Sequence, residues 1–152
     1  MNLIDKISNI RGINYDETIA STIKNFKTDD VDRMCRVYSR NLCVELKSKG
    51  INAKVVNLYN MVDYDHEVII ARTNEGFFEK YYLIDITFDQ FLQNIDTYDC
   101  SYMMQDFKEK KFRIIDEEFK KEYFTFLKED YVDMATEDIY NISTENISVK
   151  ML

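Results

Sequence analysis

The hydrophobic period of this chain changes at Gly50, from helical to extended, and that change confines what it can fold into. Before it, Val31, Cys35, Tyr38, Leu42 and Leu46 recur at spacings of three and four, which predicts one face of a long helix ending near Lys49. Thr28-Asp29-Asp30-Val31-Asp32 supplies N-cap oxygens and carboxylates suited to the positive end of a helix dipole, with Asp32 as the expected cap. After Gly50, Ile51 to Leu58 alternates like a strand. His66 to Ala71 is apolar on both faces past its first two residues, as an interior strand would be, and Lys80 to Asp85 is a third extended run. A helix feeding closely spaced strands predicts an α+β domain in which the cysteine-bearing helix packs on a small antiparallel sheet.

The flanks read as cover for that core. Leu3, Ile4, Ile7 and Ile10 form one helical stripe, Gly12 stops it, and Tyr15, Ile19, Ile23 and Phe26 form the next. Near the other end, Phe119, Tyr123, Leu127, Tyr131 and Met134 predict an amphipathic helix over 117–134, an aromatic stripe expected to be core. Residues 94–106, which include Cys100, have no clear period, and the polar tail after Asn141 is expected to fray. At 152 residues without a proline or a low-complexity linker, residues 1–152 are expected to form a single domain.

Composition narrows the function classes. A hydrophobic fraction of 45% excludes a disordered chain, and no apolar run approaches the roughly 20 residues of a membrane span. A formal charge of −8 argues against a general nucleic-acid partner, which needs a basic face to displace counterions. The start Met1-Asn2-Leu3-Ile4-Asp5-Lys6 lacks the apolar centre of a signal peptide, so the expectation is a cytoplasmic protein, or one delivered without such a peptide. Three widely spaced cysteines suit free thiols better than a disulfide framework. Only three glycines are present and none builds a phosphate loop. Asp63 and Asp65 precede the single histidine, His66, but one histidine with scattered carboxylates is a poor metal set, so no metal or cofactor is expected.

The chemistry-bearing residues are Cys35, His66 and Asp85. A thiol attacks a carbonyl as thiolate, and the first turn of a helix beside a histidine is where its pKa is lowered. The histidine needs a group that fixes its tautomer and stabilises the imidazolium. Thr73-Asn74-Glu75-Gly76 reads as a hairpin turn, and a turn centred between Glu75 and Gly76 sets His66 directly opposite Asp85 on one sheet face. Their Cα atoms would then be roughly 4.5–5.5 Å apart, with Cys35 expected over the same face. The alternative is that Cys35 is a small core residue and His66 has no special role. Cys43 and Cys100 stand beside no histidine-bearing motif and are expected to be structural.

Cys35-Arg36-Val37-Tyr38-Ser39-Arg40-Asn41-Leu42, then Leu46, Lys49-Gly50-Ile51-Asn52-Ala53-Lys54-Val55-Val56, His66 ahead of an apolar strand, and Leu83-Ile84-Asp85-Ile86-Thr87-Phe88 together resemble the core of the transglutaminase-like branch of papain-fold proteins. The last segment, continued through Asp89-Gln90-Phe91, is similar to the Asp-Pro-Thr segment of those proteins and of the related papain-fold toxins and glutamine deamidases. The resemblance covers about the middle third of the chain, and its force lies in the joint order of short motifs. It implies a papain-like core with extra helices at both ends, Cys35 as nucleophile, His66 as general base and acid, and Asp85 as orienter. It implies a protein or peptide substrate and acyl transfer from an amide through a thioester, as in a protease or a glutamine deamidase. Ile86 replaces the usual proline, Glu67-Val68 replaces Ala-Trp, and the chain has no tryptophan, all of which turns the expectation from cross-linking toward hydrolysis. Two alternatives remain: an amine acceptor, as in transglutaminases or arylamine acetyltransferases, and a catalytically silent papain-like module that binds a protein partner. No glutamine lies shortly upstream of Cys35 to donate to an oxyanion; the Cys35 N–H at the helix start is one candidate, and the sequence leaves that role open.

Overall fold

The computed structural model describes residues 15–31, 34–58, 66–75, 78–88, 112–126 and 135–141. Helix α1 spans Tyr15–Asn25, α2 Cys35–Ser48, α3 Glu117–Phe126 and α4 Thr136–Asn141; the strands are β1 Asn52–Asn57, β2 Glu67–Glu75, β3 Phe78–Ile84 and β4 Phe112–Ile114. The strands form one antiparallel sheet in the order β1-β2-β3-β4, so the class is α+β.

Alternation along the strands creates two cores, one on each sheet face. Val55, Ile69, Ala71, Tyr82 and Ile84 face Leu42, Cys43 and Leu46 of α2 and Ile19 and Ile23 of α1. Val56, Val68, Ile70, Tyr81 and Leu83 face Phe119, Tyr123 and Phe124 of α3 and Ile139 and Tyr140 of α4. Burying each aliphatic side chain stabilises the fold by about 1.5–3 kcal/mol, so the helical layers on both faces hold the sheet. Central β2 is apolar on both faces because both are covered: Val68, Ile69, Ile70 and Ala71 are fully buried.

Gly50 ends α2 as the sequence predicts. It takes φ 86°, its N–H bonds Lys47 O, and the Ile51 N–H bonds Leu46 O, a Schellman closure in which Ile51 and Leu46 share the core. The start of the helix differs. α2 begins at Cys35, its N-cap is Met34 with no side-chain capping bond, and the first turn holds no acidic residue. Asp32, the expected cap, lies outside the described residues. Ahead of the helix, the Met34 N–H bonds Val31 O, and the Asp29 N–H bonds the Tyr38 hydroxyl.

The hairpin register also differs. Ile69 pairs with Ile84 and Glu75 with Phe78, whereas a turn centred between Glu75 and Gly76 would pair Ile69 with Tyr82. Thr73, Asn74 and Glu75 extend β2, and Gly76 and Phe77 are left between the paired ends. Since the offset is two residues and the side-chain period is two, every face assignment survives.

β4 was not expected, being too short at three residues to show alternation. The helix expected over 117–134 is described as α3 to Phe126; Leu127, Tyr131 and Met134 lie outside the described residues, as do the stripe from Leu3 to Ile10, residues 94–106 and the tail after Asn141. Among the described residues, no helix is long and apolar enough to cross a membrane.

Candidate active site

Each of the three sequence-predicted residues sits at the end of an element. Cys35 is the first residue of α2, His66 immediately precedes β2, and Asp85 immediately follows β3. The β1 end is tied in as well, since the Leu58 N–H donates to His66 O at 2.9 Å. The Ser39 hydroxyl in the second turn of α2 donates to Glu67 O, so the start of the helix lies at the sheet end that carries His66 and Asp85.

His66 Nε2 is 2.8 Å from Asp85 Oδ2, with both residues almost fully buried. Extending the β2–β3 register beyond its last pair, Ile69 with Ile84, makes His66 and Asp85 diagonal neighbours on one face, a separation that side chains of this length span. With Nε2 engaged by the carboxylate, Nδ1 is the ring nitrogen left for the half-buried Cys35, whose thiol also hydrogen-bonds the imidazole. The sequence predicts Cys35 over the face of that pair. The body of α2 instead covers the opposite face, and Cys35 meets the ring from the start of the helix. A helix stripe that packs on Ile69 and Ala71 can reach a residue of the other face only there.

Burial by itself would raise the Cys35 thiol. Hydrogen bonds from His66 and from the Glu67 N–H, together with the imidazolium charge, outweigh it and lower the thiol below its ordinary 9.0. The helix start adds to this, because Cys35 stands at the positive end of α2 with no acidic side chain in the first turn. Burial would likewise push His66 down, but the charge and hydrogen bond of Asp85, reinforced by Cys35, raise it from an ordinary 6.5 to about 9. Each shift favours the charged form of its group, the thiolate of Cys35 and the imidazolium of His66.

Asp85 is held at both oxygens. Oδ1 accepts from the Thr87 N–H at 3.3 Å and the Thr87 hydroxyl at 3.5 Å, and Oδ2 accepts from His66 and from the Tyr123 hydroxyl at 2.8 Å. Thr87 was legible, as Asp-Ile-Thr is a local turn signal. Tyr123 was placed only in a core stripe, although a buried tyrosine hydroxyl has to find an acceptor.

Glu67, in sequence only a departure from the Ala-Trp pattern, fastens the site. It is 1% exposed, and Arg40 grips it with Nε at 3.2 Å from Oε2 and Nη2 at 3.1 Å from Oε1. Arg36 Nε lies 3.5 Å from Oε1, and the Ser39 hydroxyl donates to Glu67 O at 3.0 Å. The residue after His66 is thus bound to three side chains in the first two turns of the helix that starts with Cys35. Their spacing of three and four on α2 was the available signal.

Cys43 is buried in the α2 core, and burial pushes its thiol up. Cys100, Asp63 and Asp65 lie outside the described residues. Among the described residues, no group of three or more His, Cys, Asp or Glu is placed to hold a metal ion. No family model, curated protein or solved structure matches the chain.

Proposed function

We propose that the protein is a cysteine-nucleophile enzyme with a papain-like core, transferring the acyl group of a protein or peptide amide to water. The observation that carries this conclusion is the His66 ring, held between the Asp85 carboxylate and the Cys35 thiol so that the thiol is lowered and the imidazole raised. The order helix, strand, strand for Cys35, His66 and Asp85 supports it. So does the placement of Cys35 as the first residue of its helix, where a backbone N–H has no acceptor within the helix and can serve an oxyanion.

The Cys35 thiolate attacks the amide carbon, and its carbonyl oxygen takes the negative charge. Collapse breaks the C–N bond as His66 gives its Nδ1 proton to the departing nitrogen, leaving a thioester on Cys35 and a neutral imidazole. His66 then takes a proton from water, whose oxygen attacks the thioester carbon. Release of the carboxylic acid restores thiolate and imidazolium. Asp85 keeps the ring in one tautomer and stabilises its cation throughout.

A peptide library read by mass spectrometry separates the outcomes, since cleavage, glutamine deamidation and cross-linking differ in mass. Cleavage or deamidation, lost in Cys35→Ser, is expected. Absence of every such change, with Cys35 alkylated by iodoacetamide no faster than Cys43 at neutral pH, would overturn the proposal in favour of a silent binding module.

A further inference from the structure

Asp85 Oδ2 receives two hydrogen bonds of equal length, one from each side. His66 Nε2 and the Tyr123 hydroxyl both lie 2.8 Å from it. Tyr123 is fully buried, and its ring cannot turn freely: Phe119 stacks on it at 5.4 Å and 20°, Phe88 at 6.4 Å and 29°, and Phe124 meets it edge-on at 5.8 Å and 62°. The direction of the hydroxyl is therefore set by α3, whose Phe119 and Phe124 pack on this face beside it. Helix propensity and packing would be served equally well by a phenylalanine, as at Phe119 and Phe124, so the hydroxyl is the feature that needs a reason.

We infer that Tyr123 is a positioning residue of the site: its hydroxyl shares the Asp85 oxygen that binds His66, fixing where the carboxylate stands and how strongly it holds the imidazolium. This rests on the catalytic reading of Cys35, His66 and Asp85 given above. Two donors on one oxygen divide its charge, so each weakens the pull on the other. A carboxylate without Tyr123 would bind the imidazolium more tightly, making His66 a weaker acid toward the departing amine. The ionisable groups around the pair come from three sides. Cys35 approaches from α2 and Tyr123 from α3, while Glu67 in β2 is neutralised by Arg40 and Arg36. One turn before Tyr123, Lys120 is paired with Glu117.

His66 is the only histidine in the chain, so its imidazole resonances in a nitrogen-labelled sample report the titration of this one ring without any substrate. Tyr123→Phe keeps the packing and removes the donor. Its His66 midpoint is expected to rise by about one pH unit, the scale of a hydrogen bond to a charged acceptor. Phe124→Leu, which disturbs the same cluster but leaves the hydroxyl, is expected to lower the melting temperature with the midpoint in place. An unchanged or lowered midpoint in Tyr123→Phe would overturn the inference, and so would an equal rise in Phe124→Leu. A protein whose midpoint moves as expected but which turns over no amide would sink the enzymatic reading and leave the hydrogen-bond coupling standing.

Discussion

Replacing Asp85 by asparagine removes the charge that offsets the burial of His66 while keeping the shape of the pair. In the native fold His66 titrates at about 9 against an ordinary 6.5, and at about 1.36 kcal/mol per pH unit this difference is on the order of 3 kcal/mol. A group whose pKa is raised by folding stabilises the fold while it is protonated there. The contribution is complete below pH 6.5 and is lost as pH rises through about 9. Asp85→Asn should therefore unfold more easily at pH 6 by about 3 kcal/mol, a melting temperature lower by about 10 °C for a chain of this size. The gap to the native protein should narrow at pH 10. In the variant only burial and the thiol act on the ring, so its titration should drop well below about 9. Turnover should fall by roughly 10² to 10⁴, because an amide can hold the wrong tautomer and cannot stabilise an imidazolium. Calorimetry at the two pH values and the resonance of the single histidine test this directly. A stability gap equal at pH 6 and pH 10, or an imidazole still titrating near 9, would refute the reasoning.

Cys35→Ser should abolish turnover with the fold intact, while Cys43→Ser leaves activity largely in place; loss of activity in the second variant and not the first would identify Cys43 as the nucleophile. Alkylation of Cys35, followed residue by residue in the mass spectrometer, should stay fast as pH falls below the ordinary 9.0 of a thiol and decline only at its lowered pKa, whereas Cys43, raised by burial, should remain inert. Activity should then have its lower limb at the titration of Cys35 and its upper limb near 9, where His66 loses its proton; a single rising limb would contradict the ion pair. Glu67→Gln should cost about 1–3 kcal/mol in urea unfolding, less than a fully buried pair because Arg40 and Arg36 keep 25% and 50% of their side-chain exposure. It should also slow Cys35 alkylation, and an unchanged rate would show that the Glu67 carboxylate does not position the thiol.

The sequence by itself determined the helix and the three strands around the site and their faces. The stripe through Leu42 and Leu46, the stop at Gly50 and the apolar run of β2 are local patterns, and local patterns survive an error of register so long as it is even. That is why His66 and Asp85 share a face although the turn was placed one position early. The tertiary structure alone decided what meets at the end of the sheet. The described helix α2 begins at Cys35 behind Met34, a start that no side-chain cap marks. The thiol thus stands in the first turn as the sequence implies, but it reaches His66 from the start of a helix whose body covers the opposite face. The second donor to Asp85 Oδ2 comes from Tyr123, 38 residues away in sequence, and the clasp on α2 from Glu67, 27 residues from Arg40. Nothing local distinguishes that tyrosine from its phenylalanine neighbours, or that glutamate from a solvated one. Their roles arise only when the packing of two helices on opposite faces of one sheet buries a polar group and compels it to find a partner.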